Sequence, residues 1–353
     1  MTYLFESKDW ECYLQFAGES PLSIPQLFQD VISSDAEVRQ SARGTIFQWP
    51  EEMLWELGQI GAIPSVVDCL LDLAFHPDVT RPGELLGLTA KLVSGLPNFL
   101  LSEEFYADSP LILAEGIWCA FSSYADRFCK AVTSSDAEIR IGAVRCLQTL
   151  GRPEDGTAIV QQILCEVDQN VIEACLEALS YFPFTDCIEI AKSHTSHKDQ
   201  KVQCRAWLLL AVNDNSYPNE AIKELARLVM DSSNDLSEYT KNVLSESKGH
   251  VLLGCVLIWI EELKTISADQ LSSFVHSAIT ATFKCINYSR TQLSTAERLL
   301  LTALCNTDHY WNQKNSESTQ KTEAYLSTAL RLPFERTALE DRLQNESVYI
   351  RRH

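Results

Sequence analysis

The sequence has few of the residues that make turns. Glycine (13) and proline (12) are each about 3.5% of 353 residues, below their usual shares of about 7% and about 5%. So few turn formers do not suit the many short hairpins of a β-sandwich. Hydrophobic residues make up 46% of the chain, enough to build a core and too many for a disordered protein. The composition therefore predicts long helices.

Long apolar runs and a secretory signal are also missing. The first ten residues have no basic start and no uninterrupted apolar stretch, so we expect no signal peptide. The longest apolar run, Val251 to Ile260, is about half as long as a bilayer requires. The 12 cysteines contain no C-x-x-C pair and are predicted to be reduced core residues. We expect a cytoplasmic protein with no membrane partner.

Basic residues are scarce. The chain has 29 Lys and Arg against 48 Asp and Glu, a net charge of −19. Residues 1–130 contain 19 acids and 7 bases, whereas residues 261–353 contain 11 of each. Phosphate binding needs clustered cations, so no nucleic-acid partner is expected. The excess acid is either a surface that favours solubility or a face that attracts a basic partner.

Recognisable catalytic motifs are absent. The sequence has no phosphate-binding glycine loop, no G-x-S-x-G and no H-E-x-x-H, so we predict a protein that is not an enzyme and has no cofactor. Cys187, His194, His197 and Cys204 carry ligand atoms that suit zinc. Their six-residue gaps are not a known finger spacing, however, and both cysteines lie on predicted packing faces. We therefore expect core cysteines, loop histidines and no metal.

An internal repeat is the strongest positive signal. Residues 33–39 (SSDAEVR) recur at 134–140 as SSDAEIR, with one change from Val to Ile. The pairs Ser34/Glu37 and Ser135/Glu138 fit the capping box, in which serine accepts a backbone N–H and glutamate reaches back to the cap residue. Each copy is therefore predicted to begin a helix.

The aspartate of this motif also begins a periodic apolar pattern. Apolar residues follow Asp35, Asp136, Asp168 and Asp199 at offsets of three, seven and eleven. These offsets place them on one helical face, with a small residue in the middle that permits close helix packing. The predicted core of three consecutive units is Ile139, Ala143, Leu147, Val171, Cys175, Leu179, Val202, Ala206 and Leu210.

Another apolar helix precedes each of these helices, and Pro153, Pro183 and Pro218 follow them. The resulting helix–turn–helix unit of 30–35 residues resembles the HEAT-repeat family, clearly over 120–215 and locally at 24–49. The motif that carries the resemblance is Asp35, Val38, Arg39 and Ala42, repeated as Asp136, Ile139, Arg140 and Ala143.

The resemblance implies an all-α fold, a right-handed α-solenoid in which Asp and Arg stack between neighbouring repeats. Ile172 and Gln203 stand where two further arginines would lie, so the Arg series is interrupted. The solenoid is predicted over 1–260. Residues 261–353, where the repeat fades, are predicted to be an atypical helical C-terminal cap.

A solenoid of this kind offers an extended binding surface. The leading hypothesis is a non-enzymatic module that binds a basic protein or peptide, as an immunity-type inhibitor or an assembly adaptor. A HEAT-like enzyme, either a bilin lyase or isomerase or a DNA-alkylation glycosylase, is the alternative. Tryptophans such as Trp118 and Trp259 are expected in the core. The predicted partner-binding residues are Glu51, Glu52, Glu56, Glu103, Glu104, Asp108, Arg145 and Gln148.

Overall fold

The structure is a computed structural model of the 353-residue chain. It describes residues 4–7, 24–55, 63–77, 79–100, 110–182, 186–213, 218–230, 234–247, 249–265, 268–283, 293–312, 317–330, 333 and 335–344. All regular structure in these residues is helical, which confirms the all-α class. The chain divides into two compact units, Met1–Phe184 and Thr185–His353. The handedness of the solenoid stays a prediction.

The helices of the first unit are paired as the repeat predicts. They are α1 (Leu4–Ser7), α2 (Ile24–Val31), α3 (Ala36–Trp55), α4 (Ile63–Ala74), α5 (Pro82–Leu100), α6 (Pro110–Ser122), α7 (Ala125–Ala131), α8 (Ala137–Leu150), α9 (Pro153–Ile163) and α10 (Gln169–Leu179). Helix α8 packs on both α5 and α10. These three are therefore the stacked second helices of successive pairs.

The second unit continues with helices throughout its described residues. They are α11 (Asp186–His194), α12 (Gln200–Asn213), α13 (Pro218–Met230), α14 (Asn234–Glu246), α15 (Gly249–Glu262), α16 (Ala268–Phe283), α17 (Thr295–Cys305), α18 (Asp308–Trp311), α19 (Glu317–Leu330) and α20 (Arg336–Gln344). Helices of the predicted cap pack on earlier ones, since α16 contacts α14 and α17 contacts α15. The predicted cap therefore belongs to the same compact unit, Thr185–His353, as the helices that precede it.

The aspartate of the repeat motif caps each second helix. Asp136 accepts a hydrogen bond from the backbone N–H of Glu138 at 2.8 Å, and Asp35, Asp168 and Asp199 do the same for their helices. The predicted Ser–Glu capping boxes at 34–37 and 135–138 are therefore wrong. The carboxylate at this position also interacts with the positive end of the helix dipole.

The turn before each aspartate is stabilised by a further side-chain contact, and three of the four turns have a second one. The side chain two positions earlier accepts the N–H of the aspartate, through Ser33, Ser134, Glu166 or His197. The backbone carbonyl of that earlier residue is itself bonded by Arg39, Arg140 or Gln203. Gln203 stands where two other repeats have Arg39 and Arg140. It makes the same contact with the loop carbonyl but carries no charge.

Arg140 also joins two repeats. Its Nε and Nη2 donate to the two carboxylate oxygens of Glu166 at 2.8 and 3.0 Å. The Glu166 side chain is only 3% exposed and also accepts from Gln162 and from two backbone N–H groups. Burial acts to raise the pKa of Glu166, but these hydrogen bonds outweigh it and lower the pKa.

The predicted core is mostly confirmed. Eight of the nine residues named above are buried, and the exception, Ile139, is half-buried. Val38, at the same motif position as Ile139, is 40% exposed. Both lie in the first turn of their helices. Ile139 lines a cavity beside α4 and α7, so the neighbouring helices do not cover this position in every repeat.

Helices α5 and α8 pack closely enough to bring their backbones into contact. A Cβ added to Gly142 would lie 2.6 Å from the carbonyl oxygen of Gly83, and one added to Gly83 would lie 2.3 Å from the backbone of Glu138. Farther along, the Cys146 thiol donates to the carbonyl oxygen of Leu86. The two helices therefore run parallel in backbone contact. The sequence pattern placed the small residue one position later, at Ala143, which is also fully buried.

We expect Gly142→Ala to destabilise the first unit by about 1–3 kcal/mol, because the added methyl group overlaps backbone that cannot move aside. Gly95→Ala is the matched control. Gly95 is exposed in α5, and a Cβ added there would meet nothing within 4 Å, so alanine should stabilise by about 0.5–1 kcal/mol. Denaturant unfolding measures both. Equal effects of the two variants would contradict the close approach.

Glu166→Gln should destabilise the protein by about 1–3 kcal/mol at neutral pH, because it breaks the contact with Arg140. The lowered pKa means that this stabilisation is complete above the ordinary Glu value of 4.5 and is lost as pH falls through the folded-state pKa. Glu154→Gln, whose side chain is 65% exposed near Arg152, should cost less than about 1 kcal/mol. Unfolding curves between pH 3 and pH 7 test this, and a pH-independent difference would contradict it.

Candidate binding surface

The structure tests none of the predicted acidic contacts. Glu51 and Glu52 belong to helix α3, but their side chains lie outside the described residues. The residues Glu56, Glu103, Glu104 and Asp108 also lie outside them. On α8, Arg145 is exposed and Gln148 is half-buried. Their roles in binding therefore stay predictions.

The charge asymmetry becomes sharper when the chain is divided at the observed boundary. The first unit contains 27 acids and 10 Lys and Arg, a balance of −17, whereas the second contains 21 and 19, a balance of −2. Almost the whole negative charge of the protein therefore belongs to residues 1–184.

Half of the cations in the first unit are used within the fold. Arg43 and Arg81 both pair with Glu84, and Arg81 also reaches Glu138. Burial is the main cause that lowers the pKa of Arg43, to about 10. Arg39 binds a backbone carbonyl of its own turn, Arg152 pairs with Asp155 in the first turn of its helix, and Arg140 pairs with Glu166 in the next turn. Few cations are left to offset the exposed acids.

Helix α6 presents an aromatic side chain to solvent in this acidic unit. Trp118 is 43% exposed, and Glu115 and Cys119 on the same face are also exposed. The opposite face is buried through Ile117 and Phe121. An indole face next to a carboxylate can bind a Lys or Arg side chain through cation–π attraction and ion pairing.

The expectation that Trp118 lies in the core is wrong, whereas Trp259 is fully buried as expected. Helix α6 is nearly all apolar, so hydrophobic periodicity could not tell its two faces apart. The signal that could have done so is Glu115, the single charged residue between Pro110 and Ser122. A charge in an otherwise apolar helix marks the face that stays in water.

A cavity of about 570 Å³ lies at the C-terminal end of α4. Its walls come from the turn after α4, the start of α5, and α7 with the turn that follows. The lining residues are Ala74, Phe75, His76, Pro77, Val79, Pro82, Arg127, Lys130, Ala131, Ser134 and Ile139. The cavity was not visible in the sequence, because its walls come from segments about 50 residues apart.

The Arg127 guanidinium is held beside this cavity by aromatic rings. It lies over Phe75 and Tyr124, 5.5 and 5.2 Å from the ring centroids, and the two rings are stacked with centroids 6.0 Å apart. The Tyr124 hydroxyl donates to Asp68 at 3.2 Å. Burial, followed by the charge of Asp68, raises the pKa of Tyr124. The tyrosine therefore stays neutral and anchors the stack.

The four residues of the possible zinc array make other contacts in the structure. Cys187 and Cys204 are fully buried, and the Cys204 thiol lies 3.7 Å from the hydroxyl of Thr240. His194 contacts the carbonyl oxygen of Ile190, while His197 accepts the N–H of Asp199. Within the described ranges, no three His, Cys, Asp or Glu side chains are grouped as metal ligands would be.

The longest apolar run of the sequence lies in α15, a helix of 14 residues. Among the helices that the structure describes, none combines the length and the apolar character needed to cross a bilayer.

Comparison with known proteins gives only a remote similarity. No family model matches the chain, and no curated protein matches it in sequence. Among solved structures, the chain is similar to the complex of CpcE and CpcF of phycocyanin lyase from Nostoc sp. PCC7120. The identity is 15% and the TM-score 0.41, over 75% of this chain and 96% of the other. A likeness this distant supports no statement about activity.

The contacts of His197 yield a test of its structural role. Ser33 and Ser134 accept the same aspartate N–H in other repeats, so His197→Ser should keep the cap of α12 near its native stability. His197→Ala removes the acceptor and should cost about 1 kcal/mol. Thermal unfolding compares the two variants, and metal analysis of the unmodified protein accompanies it. Equal destabilisation, or one equivalent of zinc, would contradict this role.

Proposed function

We propose that the protein is a binding module whose acidic first unit docks a basic protein, with the exposed face of α6 as part of the contact. The observation that carries the proposal is the pair Trp118 and Glu115, which stand exposed on one face of α6 in a unit with a balance of −17. We name Glu115, Trp118 and Cys119 the α6 face.

The charge supports a basic partner in two ways. A field of one sign speeds the encounter with a partner of opposite sign. Four arginines of the unit already pair with its own carboxylates, namely Arg43, Arg81, Arg140 and Arg152. These arginines are therefore less able to repel the basic side chains of a partner. Binding should therefore weaken steeply as salt rises.

Trp118 supports a specific contact rather than attraction by charge alone. Tryptophan is enriched among the residues that dominate interface energies, because its large ring loses much apolar surface on binding. A tryptophan that is 43% exposed in an almost entirely apolar helix still has contact area to bury. A Lys or Arg of the partner can lie on the indole while its charge pairs with Glu115.

Two kinds of binding role fit this surface. An inhibitor would cover the active site of a basic partner, and an assembly adaptor would hold a basic partner without blocking it. A bilin lyase or isomerase and a DNA-alkylation glycosylase are the enzymatic alternatives. A bound chromophore in the purified protein, or release of damaged bases from DNA, would favour an enzyme over the proposed module.

Trp118→Ala should reduce affinity for the captured basic partner by about tenfold or more, as truncation of an interface tryptophan commonly does. The matched control is Tyr181→Ala, which removes an aromatic side chain that is 63% exposed, follows the end of α10 and is not part of the α6 face. Partners are first captured at low salt, identified by mass spectrometry and then titrated in purified form. Equal affinity of both variants would contradict the docking site.

Charge reversal tests the electrostatic part separately. Glu115→Lys should slow association several-fold and flatten its salt dependence. We propose the same result for Glu52→Lys and Glu104→Lys, the acidic clusters indicated by the sequence. Stopped-flow association rates at several salt concentrations measure the effect. An acidic partner, or rates unchanged by all three reversals, would show that the negative charge serves only solubility.

A further inference from the structure

The cavity beside α4 differs in charge from the unit that surrounds it. Arg127, Lys130 and His76 line it, and no carboxylate occurs among its described lining residues; Asp78 lies outside the described part of the chain. Two neighbouring cationic side chains, Arg127 and Lys130, in a unit with a balance of −17 need an explanation other than the general charge of the surface.

The two permanent cations of the cavity are not neutralised by the described residues. No carboxylate in the described ranges lies within ion-pair distance of Arg127 or Lys130, although Asp126 precedes both on α7. Arg43, Arg81, Arg140 and Arg152 in the same unit all have carboxylate partners. Charged donors remain available at the cavity.

The donors are also held in place. Arg127 lies over the Phe75 and Tyr124 rings, and a guanidinium carries its N–H donors in a planar fork that suits an anionic group. Lys130 stands in the last turn of the same helix, so both cations are carried by one rigid element. Preorganisation of this kind reduces the entropy lost on binding.

The remaining wall is apolar. Phe75, Pro77, Val79, Pro82 and Ile139 contribute hydrocarbon surface, and the volume of about 570 Å³ falls within the usual range of small-molecule sites. Ile139 is half-buried, so part of this apolar wall is open to solvent.

We propose that this cavity binds a small organic anion, with an acidic group paired to Arg127 and Lys130 and an apolar body against Phe75 and Ile139. The positive charges of Arg127 and Lys130 favour an acidic group, and the apolar wall favours a hydrocarbon or aromatic body. This site is independent of the α6 face, and it takes a ligand of opposite charge to the partner proposed there.

Anilinonaphthalenesulfonate is a suitable probe because it joins an anionic group to an aromatic body. Its fluorescence titration should give a saturable site in the native protein. Lys130→Gln and Arg127→Gln should each weaken binding by about tenfold. Lys91→Gln, an exposed residue of α5 outside the cavity, is the control with the same change in net charge and should leave the affinity unchanged.

The uncharged analogue phenylnaphthylamine separates pairing from apolar contact. It should bind more weakly than the sulfonate and with the same affinity in the native protein and both cavity variants. Unfolding curves check that the variants remain folded, and Arg127→Lys keeps the charge if Arg127→Gln does not fold. Absence of a saturable site, equal losses in Lys91→Gln, or equal losses for the neutral probe would each overturn the proposal.

Discussion

The backbone contact between α5 and α8 is the constraint on which the rest of the first unit depends. Gly83 and Gly142 have no side chain to separate the two helices, so the helices pack in parallel at a distance that other residues would prevent. This approach brings the start of α5 beside the start of α8. Arg81 can therefore pair with both Glu84 and Glu138.

The pairing of arginines at the turns has a consequence for the surface. Arg140 holds its own turn through a backbone carbonyl and the next turn through Glu166, so a single cation stabilises two repeats. Cations bound in this way no longer attract ligands from solution. The exposed acids of the unit then set the sign of its field, except at the cavity where Arg127 and Lys130 remain available.

The sequence was informative wherever one physical requirement repeats along the chain. Ala143, Cys175 and Ala206 stand in the middle of their helix faces, and all three are buried because every repeat needs close packing there. The start of each second helix was also predicted correctly. The capping side chain was not, since serine and aspartate both accept hydrogen bonds and only geometry distinguishes them.

Features that arise from contacts between distant segments could not be predicted. Phe75 and Arg127 meet through folding alone, so no local pattern indicates the cavity that they share. Trp118 was misplaced because the apolar residues of α6 surround it on both sides in sequence. Its exposure depends on which face α4 covers. A Cβ added to Gly116 would lie 3.3 Å from the Pro64 side chain, so α4 covers the side of α6 that carries Gly116.

Cysteine labelling offers the most direct test of the claim that a basic partner docks on the α6 face. Cys119 is exposed beside Trp118, and Cys165 is exposed after α9 in the same unit. A neutral alkylating reagent, read by peptide mass spectrometry, measures each thiol with and without the purified partner. We predict that the partner strongly protects Cys119 from alkylation, whereas Cys165 reacts to the same extent with and without it. Undiminished labelling of Cys119 in the saturated complex would contradict it.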